Sequence, residues 1–555
     1  MNNPSINQDT KAFAKVAKVI AKHGPALAAL AGVVEVWAGY KFRDGKLTKE
    51  PAVLVSVLAK VAKGKLKKGA LLPEAIEGVA VDVVAASPAQ LVRFAVAHGA
   101  ALTAKSAPSL LGMVRAAAAV AAPAAPRIPY VPAKPPLKVV EERMTMVCHA
   151  SPDAGWRVLS EFFGKTKNRL VATMYEFTGE HILTKLGQSL AAPHKLELIM
   201  DDGNVENEGA RAALKGALGT RMKFVWAAVA DGAHVKQSFF PTAYHIKVAV
   251  RDGRAVWLSS GNWKESNQPE RDPIVEPFAT KAKRDAFHRK QNRDWHVVVE
   301  SLALAGQFER FIRHDMAQAK PLQKAAGVAV ARAGVMQAFF APAALVDAGG
   351  VEFFGEQVFD KKLRVMPLLT PDNYVDHVLP LIKGAKRRIY FQNQSLSAAV
   401  AKSPRYGELV KALCDKSKLP GSKMDIRILV RGDFDPHKIL SALAAFGFNM
   451  ERVRLQKGNH NKGILIDDQV TVIGSHNWTG QGTTENRDAS LIVEDAEVTG
   501  YFTKLFLHDW ERRSSAEVPA EPVLAAVAAP RAATPKGMVR MTAREIMDGC
   551  PPDVF

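Results

Sequence analysis

Residues 245–252 read His245-Ile246-Lys247-Val248-Ala249-Val250-Arg251-Asp252, and after six intervening residues comes Ser259-Ser260-Gly261-Asn262. Residues 460–467 read His460-Asn461-Lys462-Gly463-Ile464-Leu465-Ile466-Asp467, followed at the same interval by Gly474-Ser475-His476-Asn477. Both stretches fit H-x-K-x4-D-x6-(G/S)-S-x-N, and both run on into tryptophan, Trp263 and Trp478. Polar residues recurring at so many fixed offsets, twice in one chain, are not a coincidence of composition. The spacing has a structural reading. In H-x-K the two side chains fall on one face of a strand, because strand side chains alternate with period two. Val248-Ala249-Val250 and Gly463-Ile464-Leu465-Ile466 read as buried strands. Asp252-Gly253 and Asp467-Asp468 are turn chemistry leading into second runs, Ala255–Leu258 and Val470–Ile473. Such a hairpin returns Ser260 and Asn262, or Ser475 and Asn477, to the edge that carries His and Lys. Asp252 and Asp467 then sit at its far end as turn-forming carboxylates.

The duplication extends well beyond the motif. Ser151-Pro152-Asp153 matches Thr370-Pro371-Asp372, and the run 169–175 matches 388–394 as a strand. Residues 196–201 match 425–430. Asn292-Arg293-Asp294 with Val297–Glu300 matches Asn486-Arg487-Asp488 with Leu491–Glu494. Phe311–Asp315 matches Phe506–Asp509 apart from one residue. Strands alternating with helical segments indicate an α/β unit, and the period is far too long for a solenoid. Two such units packed about a pseudo-twofold axis would bring His245 and His460 to one cleft.

The residue types suit phosphodiester chemistry. A phosphodiester is a shielded anion that water attacks slowly, and a side-chain nucleophile splits the hard step into two easier ones. Of two imidazoles near pH 7, one can be neutral and attack while the other is charged and donates a proton. Two ammonium groups and two side-chain amides aimed at the non-bridging oxygens would stabilise the added charge at five-coordinate phosphorus. This inventory requires no cofactor and no metal.

The motif resembles the HKD signature of the phospholipase D superfamily, whose bilobal members carry two copies in one chain. The resemblance covers roughly residues 140–515. It implies an α/β bilobal phospholipase D fold, two mixed-sheet α/β domains about a pseudo-twofold axis. It also implies roles. Lys247, Lys462, Asn262 and Asn477 would bind phosphate, with Ser260 and Ser475 supporting that cradle. His245 would be the nucleophile, because the N-terminal copy often supplies it in the family, and His460 the acid; the residues alone do not rank the two. Asp294 and Asp488 correspond to the family's acidic residue that hydrogen-bonds a catalytic imidazole. Tyr390-Phe391-Gln392-Asn393-Gln394 is similar to a Tyr-x-x-Asn-Gln stretch of true phospholipases D, and buried-strand polar satisfaction explains it equally well. Two departures stand out. Ser259 replaces the glycine seen at Gly474, and the first copy carries an insert between Asn262 and Asn292 that the second lacks. That insert includes Lys281, Lys283, Arg284, Arg289 and Lys290, able to grip a polyanion or a lipid surface, or simply solvated.

Composition agrees. The chain has 555 residues, a formal net charge of +20 and a pI near 9.7, which favours anionic partners, either nucleic acid or anionic membrane. Cys148, Cys414 and Cys550 have neither metal spacing nor the density of a disulfide scaffold, which points to a reducing compartment. No stretch reads as a transmembrane segment and the opening residues lack a secretory-signal pattern, so the expectation is cytoplasmic, with signal-independent secretion left open. Near the N-terminus Lys11, Lys15, Lys18 and Lys22 form one basic helical stripe, suited either to contact with a membrane surface or, the preferred reading, to a solvated face over an apolar packing face. The expected organisation is a small N-terminal accessory domain (1–118), an Ala/Pro-rich linker (119–139), a first phosphodiesterase domain (140–320), an inter-lobe connection (321–361), a second domain (362–512) and a mobile tail (513–555). The catalytic unit is expected to be monomeric. Three functions fit: hydrolysis of phospholipid to phosphatidate and a headgroup alcohol, a metal-independent nuclease, or a non-catalytic phosphate-binding protein.

Overall fold

The computed structural model describes residues 11–58, 60, 71–98, 130–201, 207–227, 240, 243–322, 337–340, 350–518, 524–528 and 539–542. Near the N-terminus a helix, Lys11–Ala28, covers a four-stranded sheet of β1 (Val33–Arg43), β2 (Lys46–Val57), β3 (Ala75–Ile76) and β4 (Val79–Ala85). Phe13, Val16 and Val19 pack with Val53, Val55 and Val81, which leaves Lys15, Lys18 and Lys22 exposed. The basic stripe is therefore the solvated back of an amphipathic helix. Glu35 of this sheet pairs with Lys438 of the second lobe, and Arg93, on the helix Pro88–His98 that follows the sheet, pairs with Asp435.

The first lobe contributes β5 (Val140–Ser151), β6 (Arg169–Met174), β7 (Lys195–Met200), β8 (Met222–Trp226), β9 (Val248–Arg251), β10 (Ala255–Ser259) and β11 (Asp294–Glu300). A short strand β12 (Gln337–Phe340) follows. The second lobe contributes β13 (Gln357–Leu369), β14 (Arg388–Asn393), β15 (Asp425–Arg431), β16 (Val453–Gln456), β17 (Lys462–Ile466), β18 (Val470–Gly474) and β19 (Ala489–Glu494), with β20 (Ser514–Ser515) at its edge. All except β12 join one sheet in the order β20-β16-β15-β14-β17-β18-β19-β13-β5-β11-β10-β9-β6-β7-β8. Reading outward from the central β5–β13 pair, the two halves repeat element for element, parallel in β6-β7-β8 and β14-β15-β16 and antiparallel elsewhere. Arg143 lies directly opposite Lys362 across that pair. The Pro152/Pro371 alignment makes these two residues equivalents, so the pseudo-twofold axis passes between them.

The two motif hairpins form as read. Asp252 and Gly253 have φ of 56° and 65°, and Asp467 and Asp468 of 53° and 60°, the left-handed pair that a tight hairpin turn demands. Each leading aspartate does a further job. The Asp252 carboxylate accepts the N–H groups of Lys167, Asn168 and Arg169, and Asp467 accepts those of Lys386, Arg387 and Arg388, all within 2.7–2.9 Å. Burial works to raise both acids, but the three backbone donors outweigh it and hold both below the usual carboxylate range. These carboxylates tie down the chain entering β6 and β14.

The structure departs from expectation in three places. His245 and Lys247 precede β9 rather than lying on it, and His460 precedes β17; just ahead of each strand the chain, at Tyr244 and at Asn459, pairs with the opposite lobe. Strand β13 starts at Gln357, ahead of the boundary expected at 362, since it must run the length of β5. Parts of the expected tail are ordered: β20 pairs with β16, while β21 (Leu524–Ala528) and β22 (Val539–Thr542) flank β12. Linker residues 119–129 lie outside the described residues. Among the described residues, no helix is long and apolar enough to cross a membrane.

Several histidines are buried in this core. Burial pushes His296 down to about 4, and His149 and His288 well below their ordinary value. These groups stay neutral in the folded chain while the unfolded chain protonates them near pH 6.5. Their contribution is therefore fully present above about pH 6.5 and is lost as pH falls towards 4. For His296 the gap corresponds to about 3 kcal/mol. Asp488, discussed below, acts in the opposite direction but is outnumbered. Melting temperature should fall steeply between pH 6.5 and pH 4; a flat or rising profile in circular dichroism melts would contradict this.

Candidate active site

The two lobes exchange their polar partners. Just before β9, Tyr244 bridges to Arg487 of the second lobe; just before β17, Asn459 bridges to Arg293 of the first. The backbone bonds are Arg487 N–H to Ala243 C=O at 3.1 Å and, on the other side, His460 N–H to Arg293 C=O at 3.1 Å. Since each arginine precedes an aspartate, this pairing delivers Asp488 to His245 and Asp294 to His460. His245 Nδ1 lies 2.7 Å from Asp488 Oδ1, and His460 Nδ1 lies 2.8 Å from Asp294 Oδ1. Each imidazole is oriented by the carboxylate of the opposite lobe. A carboxylate acceptor at this nitrogen favours the Nδ1–H tautomer of each ring.

The motif serines hold these carboxylates. Ser260 Oγ donates to Asp294 Oδ1 at 2.8 Å and Ser475 Oγ to Asp488 Oδ1 at 2.5 Å. Both lysines sit in the same locus. Lys247 Nζ donates to the His245 carbonyl and lies 5.0 Å from the Tyr175 ring centre. Lys462 Nζ donates to the His460 carbonyl, to Gln394 Oε1 at 2.7 Å, and across the lobes to the Ser260 carbonyl at 3.4 Å. Gln394, the last residue of the Tyr390–Gln394 run, thus holds a motif lysine, while Gln392 donates to Asp509 at 2.8 Å and Asn393 to the His476 carbonyl at 3.0 Å. Asn262 donates to Glu176 at 3.4 Å, and its Oδ1, like that of Asn477, is buried without a hydrogen-bond partner in the described structure.

The electrostatics of the two dyads differ. Burial, helped by the Lys462 ammonium, pushes His460 down to about 3. Burial and the nearby Lys247 ammonium hold Lys462 well below its ordinary value. Burial also acts to raise Asp294, but its pairing with His460 overcomes it and holds the acid low. Asp488, in contrast, is pushed up to about 6 by burial, against the pull of His476 and Lys247.

Behind the dyads lies a buried frame that spacing alone did not reveal. Arg293 pairs with Asp153 at 2.9 Å and with Asp509 at 3.0 Å; Arg487 pairs with Asp372 at 2.6 Å and with Asp315. Asp509 and Asp315 sit on helices Ala496–Arg512 and Leu302–Ala319, each from the lobe opposite its arginine. The matched Phe311–Asp315 and Phe506–Asp509 stretches are the sequence trace of this frame. Tyr130, from within the linker, joins it by accepting from Arg487 at 2.8 Å.

Ser259 in place of glycine also has a physical reason. Its Oγ lies 2.6 Å from His296 Nδ1, and His296 Nε2 lies 2.9 Å from Ser151 Oγ. In the second lobe the bridging imidazole comes from His476, 2.7 Å from Ser490 Oγ and 2.5 Å from Thr370 Oγ1. Serine and histidine have exchanged strands. A Cβ at Gly474 would meet Ser490 Oγ at 2.2 Å, so glycine is required there.

Comparison with known proteins agrees with this geometry. Residues 378–510 match the family described as cardiolipin synthase, PLD-like domain. The chain is 30% identical over 128 residues to human mitochondrial cardiolipin hydrolase, covering 22% of this chain and 41% of that protein. It is 42% identical over 53 residues to the mouse protein of the same name, 10% of this chain and 22% of that one. The chain thus spans well under half the length of these curated relatives. Among solved structures, it is similar to a phosphatidylserine synthase of Haemophilus influenzae Rd KW20 (12% identity, TM-score 0.40, covering 67% of this chain and 88% of that one). It is also similar to Nuc, a phospholipase D family member of Salmonella typhimurium (15% identity, TM-score 0.23, 34% and 97%). With the family match lying across the second motif, and the first motif repeating it residue by residue on the other side of the pseudo-twofold axis, this chain belongs to the phospholipase D superfamily.

Proposed function

We propose that the chain is a phospholipase D-type phosphodiesterase that hydrolyses a phospholipid to phosphatidate and the free headgroup alcohol. The observation that carries this reading is the reciprocal pairing of two His–Asp dyads around two buried lysines. His245 Nε2 attacks phosphorus; a P–N bond forms and the P–O bond to the leaving group breaks. The leaving oxygen takes the proton from His460 Nε2. Water then attacks the phosphohistidine, gives its proton to His460, and frees His245. Because His460 is held neutral at rest, it must gain that proton as the anionic diester enters between Lys247 and Lys462. Those ammonium groups, with Asn262 and Asn477, are placed to meet the charge building on the non-bridging oxygens. The residues supply nucleophile, acid and oxyanion donors themselves, so turnover should survive EDTA.

A lipid substrate is supported by the curated relatives named as cardiolipin hydrolases and by the Tyr390–Gln394 run. A nucleic-acid substrate is the second reading, favoured by the net charge of +20. The insert separates them. Its helix, Lys281–Lys290, carries the five cations, and the loop before it exposes Ile274 and Val275, at 39% and 66%. A variant neutralising Lys281, Lys283, Arg284, Arg289 and Lys290 should still turn over a small chromogenic diester. On vesicles in EDTA it should lose activity in proportion to anionic lipid content, as surface attraction requires. If phosphatidylcholine and cardiolipin vesicles are inert while DNA is cleaved, and the variant flattens the salt dependence of DNA binding, the nuclease reading replaces the lipid one.

A further inference from the structure

The insert contributes one residue to the site itself. Asn267, 1% exposed, donates from Nδ2 to Asp294 Oδ2 at 2.7 Å, and the same nitrogen lies 3.3 Å from His460 Nδ1. The amide orientation is set by its partner, since the reverse would place Asn267 Oδ1 against a carboxylate oxygen. Asp294 is therefore bonded on both oxygens: Oδ1 by His460 and Ser260, Oδ2 by Asn267. Asp488 is bonded only on Oδ1, by His245 and Ser475; its Oδ2 is buried with no hydrogen-bond partner in the described structure. The second lobe has only the short helix Gly480–Thr484 where the first has the insert, and no amide from it reaches Asp488. The two dyads are thus copies of one design, and the bond from Asn267 is one of the differences between them.

We propose that Asn267 is a positioning residue that weakens Asp294 as a proton acceptor, so that His460 serves as general acid and His245 as nucleophile. The assignment rests on the phosphodiesterase reading above. A carboxylate accepting an extra N–H is stabilised as the anion and competes less for a proton. His460, paired with it, releases its Nε2 proton readily to a leaving oxygen. Asp488 lacks that bond and stays the stronger acceptor. It draws on the His245 Nδ1–H more strongly and leaves Nε2 richer in electron density for attack.

The test uses the full chain and two diesters, one with a nitrophenol leaving group and one with an alkyl alcohol. Asn267→Ala should move the descending limb of the kcat–pH profile upward by roughly one pH unit, as loss of one bond to a charged carboxylate implies. It should also slow the alkyl substrate about tenfold or more relative to the nitrophenyl one, since only the poor leaving group needs a strong acid. Asn267→Asp, isosteric but placing an acceptor against Asp294, should shift the limb further in the same direction. Unchanged thermal melts would exclude misfolding, and Asn267→Gln, if it restores the amide contact, should recover part of the wild-type profile. Equal slowing of both substrates, or a fixed pH limb in both variants, overturns the role of Asn267 and leaves the phosphodiesterase reading standing. A wild-type chain inert on both diesters overturns both.

Discussion

His245→Ala and His460→Ala should each lower turnover of an unactivated diester by several powers of ten. General acid–base assistance alone is worth about 10²–10⁴, and loss of a nucleophile removes the covalent route altogether. The losses should not add, because both groups act on one phosphate, so the double variant should be little worse than the poorer single one. Their chemistry separates them. A nitrophenyl leaving group needs no proton, so it should partly rescue His460→Ala and leave His245→Ala inactive. Rescue of His245→Ala alone would reverse the assignment, and near-normal rates in both would remove the histidines from the mechanism.

Arg487→Met should unfold the chain about 3–5 kcal/mol more easily, the usual cost of stripping one partner from a buried charge cluster. Arg487 is fully buried and is the shared partner of Asp315, Asp372, Tyr130 and the Thr370 carbonyl. Its loss leaves two carboxylates without their cation. It also loosens the segment that carries Asp488 to His245, so turnover should fall with stability. A double variant, Arg487→Met with Asp315→Leu, should recover part of the stability because one orphaned charge is gone with it. Urea unfolding measures both. Unchanged unfolding in the single variant would mean the frame contributes nothing across the lobes.

The candidate site was legible in the sequence because its residue types recur at fixed local spacing. His245, Lys247 and Asn262, with their second-lobe copies, announce themselves within eighteen residues. Repetition of the flanking strands similarly exposed the two halves of the sheet. What spacing cannot show is which half serves which. Asp294 is close to Asn262 in the sequence of one lobe, yet it orients His460 of the other, since the partner is chosen by the Arg293–Asn459 and Tyr244–Arg487 bridges. Asn267 was hidden for a different reason. It lies in a segment with no copy in the second lobe, so comparing the halves gave it nothing to align with. Ser259 looked like a drift from glycine and is instead half of an exchange completed by His296, His476 and Ser490, visible only when the four side chains are seen in contact.

The covalent intermediate offers the most direct test of this account. Full-length chain should be quenched in detergent at alkaline pH, which preserves the acid-labile P–N bond, during turnover of a nitrophenyl diester in EDTA, then digested and mapped by mass without acid. The expected adduct is a phosphoryl-ester group on the His245 imidazole, absent from His245→Ala and enriched in His460→Ala, where no base activates water for the second step. An adduct on another residue, or sustained turnover of wild type with no trapped histidine adduct in either background, would contradict it.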